Sequence, residues 1–110
     1  LFLTDPNTSL LENLVAVTLL RSETEFCFYR SADCEVDFVL PEEKTAIQVC
    51  YSLFDDETRK REFSALHSLD RRYELKNCLV ISKDAEETAE YKGTQIKILP
   101  AWKWVLEKHN

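Results

Sequence analysis

A small set of side chains in this sequence has the types and the spacing of a metal-dependent nuclease site in altered form. Two neighbouring segments alternate apolar and polar side chains, as half-buried strands do. The alternation places Asp37 of the first segment on the same sheet face as Gln48 and Cys50 of the second. Glu12 lies in an apolar segment near the start of the chain, from which it could lean over them.

The chemistry of such a site depends on two carboxylates and a lysine. Carboxylates hold Mg²⁺, which prefers oxygen ligands. A lysine two positions after the second carboxylate orients or deprotonates the attacking water. Structural interpretations remain open beside this one. Glu12 with Ser9 fits an N-terminal capping box, Asp37 has Arg30 or Lys44 as an ion-pair partner, and Gln48 and Cys50 fit as fillers of a sheet face.

The elements that position these residues follow from periodicity. Residues 9–21 are apolar nearly all round, which predicts a buried helix. Strands are predicted over 25–30, 35–40 and 45–51 as an antiparallel meander with short connections. A helix over 56–73 has acids at its start and arginines at its end.

The second half of the chain completes the sheet. The apolar run 78–81 predicts a strand buried on both faces and parallel to the third strand, because a helix connects the two. Residues 84–90 are predicted as a loop or one helical turn, 94–99 as a strand, and Pro100 as the start of a short helix packed by Trp102. The fold class is therefore α/β, a three-layer sandwich around a mixed sheet in the order α-β-β-β-α-β-β-α.

Composition excludes several function classes. The net charge of −6 argues against bulk affinity for nucleic acid. With Gly93 as its single glycine, the chain lacks a Walker-type phosphate loop. No apolar run approaches the ~20 residues of a membrane span, so no membrane partner is expected. The four cysteines form no C-x-x-C pair, which predicts free thiols and a cytoplasmic location. The chain does not begin with methionine, and we expect it to lie within a longer gene product.

Several sequence pieces together resemble a known family. They are L-L-E-N-L-V at 10–15, E-V-D-F-V at 35–39, I-Q-V-C-Y-S at 47–52, C-L-V-I-S-K-D at 78–84 and I-L-P-A-W at 98–102. They resemble domain of unknown function 4143, the C-terminal domain of a large group of prokaryotic AAA-type ATPases, which is similar in fold to PD-(D/E)XK nucleases. The resemblance implies a restriction-endonuclease-like fold for residues 1–110 as one domain. It places ATP on a separate N-terminal domain.

The nuclease pattern of that fold carries over onto four positions, two of which depart from it. Glu12 and Asp37 match its acids and are the implied metal ligands, whereas Gln48 stands where a glutamate would be and Cys50 where the lysine would be. Loss of one preorganised electrostatic group typically costs ~10²–10³ in rate. Weak Mg²⁺ binding at most, and no cofactor in this fragment, is therefore expected.

Three functional hypotheses follow. The leading one is a non-catalytic accessory or binding domain of an AAA-type ATPase, whose partner is the parent ATPase domain, nucleic acid or another protein. The second is a Mg²⁺-dependent nuclease that acts on DNA through an altered site, in which another carboxylate such as Glu35 replaces Gln48. The third is a dimerisation domain that retains a degenerate site.

Overall fold

A computed structural model of the chain describes residues 5–108, which form three helices and six strands. Most of the predicted elements are present, several with the expected bounds. The elements are α1 (Pro6–Arg21), β1 (Cys27–Arg30), β2 (Glu35–Leu40), β3 (Thr45–Val49), α2 (Asp56–Tyr73), β4 (Asn77–Ser82), β5 (Glu87–Tyr91), β6 (Thr94–Pro100) and α3 (Ala101–Lys108). None of the helices in this described range is long and apolar enough to cross a membrane.

The six strands form one mixed sheet in the spatial order β1-β2-β3-β4-β6-β5. The first three strands are antiparallel neighbours, and β3 pairs in parallel with β4 across the α2 connection. The predicted meander and the predicted parallel crossover are therefore confirmed. β4 also pairs in parallel with β6, so that β3, β4 and β6 form a parallel centre between antiparallel edges.

The helices lie on both faces of the sheet and divide the core in two. On one face, α1 and α3 contribute Val15, Leu19 and Trp104 to an apolar cluster on the sheet. On the other face, α2 contributes Phe63 and Leu66 to a second cluster. The molecule is therefore an α/β domain of three layers, as the alternation of elements predicts.

The segment predicted as a loop or a helical turn at 84–90 is largely a strand. β5 forms a hairpin with β6 through Lys92 and Gly93, whose φ angles of 48° and 92° are both positive. Two positive φ angles define the tight hairpin turn that matches strand twist. The acids of β5 conceal the strand in the sequence because they are exposed on a sheet edge, where charged residues are common. The observed order is therefore α-β-β-β-α-β-β-β-α.

Helix α1 begins earlier than predicted and is not buried all round. Its N-cap is Asp5, whose Oδ1 accepts a hydrogen bond from the Asn7 N–H at 2.9 Å. The predicted capping box is wrong, because Ser9 and Glu12 both lie inside the helix. One side packs on the sheet, whereas Leu10 and Leu20 on the outer side are 67% and 65% exposed.

Two further residues differ in burial from what the sequence suggests. Trp102, predicted to pack in the core, is 60% exposed, while Trp104 is buried. The phase of α3 turns Trp104 rather than Trp102 toward the sheet. Cys27 lies in an apolar run of the sequence, which would suit a buried thiol, but it is exposed on the edge strand β1. All four cysteines are free, as predicted.

Strand β2 separates from β3 before the end of either strand. Their regular pairing stops at Phe38 opposite Ile47. Beyond it, the Gln48 side chain lies between the two backbones: its Oε1 accepts from the Asp37 N–H and its Nε2 donates to the Glu35 carbonyl, both at 3.0 Å. The buried amide of Gln48 thus replaces two hydrogen bonds of the missing ladder.

A register slip between β1 and β2 changes which side chains of β2 share a face. Between Cys27 and Tyr29, the β1–β2 register slips by one residue, so three steps of β2 oppose two of β1. As a result Val36 packs in the α2 cluster and Phe38 in the α1 cluster. Regular alternation would place Val36 and Phe38 on one face of the sheet, whereas here they lie on opposite faces.

The bridge formed by Gln48 predicts a stability effect. We expect Gln48→Leu to lower the free energy of unfolding by about 2–6 kcal/mol, because it leaves two backbone groups without partners at ~1–3 kcal/mol each. Denaturant unfolding measures the difference. Gln95→Leu, at an exposed position of β6, is the control and should change stability by less than about 0.5 kcal/mol. A Gln48→Leu protein as stable as the parent would contradict the bridging role.

Candidate acidic cleft

A cleft of about 450 Å³ lies at the end of the sheet where β2 and β3 separate. Residues from α1, β2, the end of β3 and α2 form its walls. We call it the acidic cleft. Its lining residues are Asp5, Thr8, Glu12, Glu35, Asp37, Val49, Cys50, Ser52, Thr58, Arg61 and Glu62.

Helix α1 supplies Glu12 to the cleft. The helix is fixed there by Thr8, whose Oγ1 accepts a hydrogen bond from the Tyr51 N–H at 3.1 Å, just beyond the end of β3. Glu12 lies one helical turn further on and faces the same cleft. Burial raises the pKa of the Glu12 carboxyl above its usual value.

Asp37 lies at the centre of the arrangement. Its Oδ2 accepts a hydrogen bond from the Val49 N–H at 2.7 Å, which joins β2 to β3 beyond the last regular pair. Burial raises the pKa of Asp37 to about 6; the Val49 hydrogen bond opposes the rise, and repulsion from Glu12 and Glu35 adds to it. Asp37 is therefore protonated more readily than an ordinary aspartate.

Gln48 and Cys50 occupy different environments. Gln48 is 2% exposed and lies behind the cleft, where it bridges the two strands. Cys50 lines the cleft and its thiol donates to the Ser52 carbonyl at 3.0 Å. Burial, with repulsion from Glu62, raises the pKa of Cys50 to about 11, so the thiol is neutral near pH 7 and is a poor nucleophile and metal ligand.

Helix α2 adds two residues that the sequence interpretation missed. Glu62 and Arg61 both line the cleft, and Arg61 Nη2 lies 3.7 Å from Glu62 Oε1. Burial raises the pKa of Glu62 to about 7; repulsion from Asp37 and Glu12 adds to the rise, and Arg61 opposes it. The signal for Glu62 was its spacing, because it lies four residues before buried Leu66 and thus on the inward side of α2.

The structure therefore brings Glu12, Asp37 and Cys50 to one cleft and keeps the Gln48 side chain out of it. Carboxylates outnumber cations along the walls by five to one. Within residues 5–108, however, no group of three or more His, Cys, Asp or Glu side chains is placed to hold a metal ion. Glu12 and Asp37 influence each other electrostatically without forming such a group.

Fold and cleft together define a small α/β domain with a mixed sheet and an acidic cleft at the end of its parallel crossover. The family described as a domain of unknown function, DUF4143, matches residues 7–104, and the chain belongs to this family. The matched range contains every cleft residue except Asp5. Neither a curated protein nor a solved structure matches the chain.

The raised carboxyl pKa values predict that stability falls as pH rises. The folded-state pKa values of about 6 for Asp37 and about 7 for Glu62 exceed the ordinary values of 3.8 and 4.5. The folded protein therefore binds more protons than the unfolded chain between roughly pH 4 and 7, and the free energy of unfolding decreases across this window. Chemical denaturation at pH 5 and pH 8 should show the protein to be more stable at pH 5.

Glu62→Gln isolates one carboxyl of this effect. We expect it to raise the free energy of unfolding at pH 8 by about 1 kcal/mol and to flatten the pH dependence, since the amide carries no charge to bury. Glu90→Gln, at an exposed position of β5, should leave both unchanged. A steeper pH dependence in Glu62→Gln would contradict the assigned protonation behaviour.

Proposed function

We propose that this chain is a non-catalytic binding domain of an AAA-type ATP-binding protein and that its nuclease-like site is degenerate. The observation that carries the proposal is the engagement of Gln48. Its amide is buried and bonded to the Asp37 N–H and the Glu35 carbonyl, so the position that would hold a second metal-binding carboxylate serves the sheet instead.

The other catalytic position supports the same conclusion. Cys50 stands where a nuclease of this type has a lysine, and its thiol is neutral and bonded to the Ser52 carbonyl. Among residues 5–108, the only cation that lines the cleft is Arg61, a guanidinium that stays protonated and lies beside Glu62. A group that remains protonated cannot accept a proton from water, so Arg61 does not replace a general base.

The parent protein is proposed from the family resemblance. The sequence resembles the C-terminal domain of a large group of prokaryotic AAA-type ATPases, a domain similar in fold to PD-(D/E)XK nucleases. The mixed sheet with its parallel crossover is compatible with that fold. ATP would then bind a separate domain, since this chain has one glycine and no Walker-type loop. A binding domain of this kind would act through the parent ATPase domain, another protein or nucleic acid in the cytoplasm.

A Mg²⁺-dependent nuclease with an altered site is the second candidate. Glu62 favours it, because this buried carboxylate from α2 faces the same cleft as Glu12 and Asp37 and interacts electrostatically with both. It would supply the negative charge that Gln48 lacks. Since no three such side chains of residues 5–108 are placed to hold a metal ion, this candidate requires Glu12, Asp37 and Glu62 to close around an added ion. The ion would then polarise the scissile phosphate.

Metal titration and a cleavage assay on the same protein distinguish the two candidates. For the binding domain, we expect no saturable heat in calorimetric titration with Mg²⁺ or Mn²⁺, and no cleavage of plasmid or single-stranded DNA above the metal-free background. Mg²⁺-dependent cleavage that Asp37→Asn and Glu62→Gln each reduce by 10²-fold or more would establish the nuclease instead.

The variants are chosen to leave the fold intact. Asn at position 37 keeps an oxygen that can accept the Val49 N–H hydrogen bond. Asp33→Asn, in the exposed turn between β1 and β2, is the matched control and should behave as the parent. Cleavage that persists equally in Asp37→Asn and Asp33→Asn would mark a contaminating nuclease and leave the binding-domain proposal standing.

A further inference from the structure

The outer side of helix α1 is apolar and unusually free of charge. Leu10, Leu14 and Val17 form a ridge at spacings of four and three residues, and Leu20 lies beside it. Leu10 and Leu20 are 67% and 65% exposed. Val17 and Leu14 are 43% and 40% exposed. Between residues 6 and 20 the helix carries one charged side chain, Glu12, and that side chain faces the acidic cleft.

Helix α3 extends this apolar surface. It contacts α1 on the same face of the sheet, and its outward side chains Trp102 and Leu106 are 60% and 59% exposed. The six outward side chains of the two helices expose roughly 600 Å² of apolar surface together, the upper end of the ~300–600 Å² typical of the largest patch on a monomer. We call this the α1–α3 surface: Leu10, Leu14, Val17, Leu20, Trp102 and Leu106.

The sequence of α1 favours a cover on its outer side. A helix that is apolar on all sides is typical of a buried environment, and the sheet covers only the side that contains Val15 and Leu19. A solvent-facing helix surface normally carries charged residues, which α1 lacks between residues 6 and 20 apart from Glu12. The contradiction between the pattern and the exposure disappears if a second surface covers the outer side.

We propose that the α1–α3 surface is the interface of a two-fold symmetric dimer of this chain. The ridge is self-complementary: when two copies of α1 pack antiparallel, Leu14 meets Leu14 of the partner subunit and Leu10 meets Val17 of the partner subunit. An isologous interface requires this kind of like-with-like pairing about one axis. Ridges of residues spaced by three and four are also the units through which helices pack.

The size of the surface fits the same occupant. A standard stable interface buries ~800 Å² on each partner, and about 65% of a homodimer interface is apolar. The roughly 600 Å² of apolar surface on α1 and α3 is enough for the apolar part of such an interface, and neighbouring polar residues would supply the rest. The six side chains of the α1–α3 surface carry no charge. They would therefore place no like charges directly against each other when two copies meet.

The dimer extends the proposed binding function by naming a partner, and its test is independent of the acidic cleft. Sedimentation velocity of the 110-residue chain from micromolar to sub-millimolar concentration should show a reversible dimer. Leu10→Glu should raise the dimer dissociation constant at least tenfold, because it buries a charge on the ridge. Phe54→Glu is the matched control: Phe54 is 98% exposed but lies between β3 and α2, away from the surface.

Cysteine crosslinking tests the two-fold axis directly. In a Cys27→Ser, Cys34→Ser background, Leu14→Cys should form a disulfide-linked dimer under mild oxidation, because the axis brings residue 14 against its own copy. Lys60→Cys, exposed on α2 on the opposite sheet face, should not. Circular dichroism confirms that each variant is folded.

Three results would overturn the proposal. The unsubstituted chain could stay monomeric throughout the concentration range, or the Leu10→Glu protein could be as dimeric as the unsubstituted chain. Crosslinking could also be equal at positions 14 and 60. None of these outcomes bears on metal binding or DNA cleavage. The failure of the dimer and the failure of the proposed binding function are therefore distinguishable.

Discussion

The separation of β2 from β3 is the constraint on which the rest of the site depends. Two regular strands would pair their backbones to the end and leave no space between them. Here the pairing stops at Phe38 and Ile47, and side chains complete the join. Gln48 satisfies the Asp37 N–H and the Glu35 carbonyl, while the Asp37 carboxylate accepts the Val49 N–H. The cleft exists because these bonds make an open sheet end stable in place of a closed one.

The same bonds explain why the cleft is acidic yet holds no assembled metal-binding group among residues 5–108. Asp37 is held against β3 by its bond to Val49, and Glu12 and Glu62 approach from helices on opposite sides of the sheet. Burial disfavours their charged forms, as the pKa values of about 6 for Asp37 and about 7 for Glu62 indicate. The cleft thus stores unfavourable carboxylate charge, which a cationic ligand or a proton would relieve.

The predictions from sequence succeeded where one signal was sufficient. Helix α2 was predicted with its observed bounds because its apolar stripe and its terminal charges agree, and the parallel pairing of β3 with β4 followed from the helix between them. β5 was missed because its acids dominate a short edge strand, and its turn depends on a positive φ at Lys92 that composition does not reveal. Strand alternation does not hold between Val36 and Phe38, because three steps of β2 oppose two of β1 there, and residue types alone do not reveal such a slip.

The candidate site was predictable to a similar extent. The resemblance placed Glu12 and Asp37 at one cleft, but it could not show that Gln48 turns away from that cleft, because this depends on where the β2–β3 ladder ends. Glu62 was predictable in principle from its spacing to Leu66, since an acid on the buried side of a helix needs an explanation.

The role of Gln48 also limits what a reconstructed nuclease site can reveal. A Gln48→Glu change would restore a carboxylate, but the side chain at this position must both accept from the Asp37 N–H and donate to the Glu35 carbonyl. An ionised glutamate has no proton to donate, and a buried charge is costly without a partner. A Gln48→Glu, Cys50→Lys protein that fails to cut DNA would therefore reflect a damaged sheet as readily as an inactive scaffold. Removing charge at Asp37 and Glu62 avoids this ambiguity, because neither Asn nor Gln there withdraws a bond on which the strands depend.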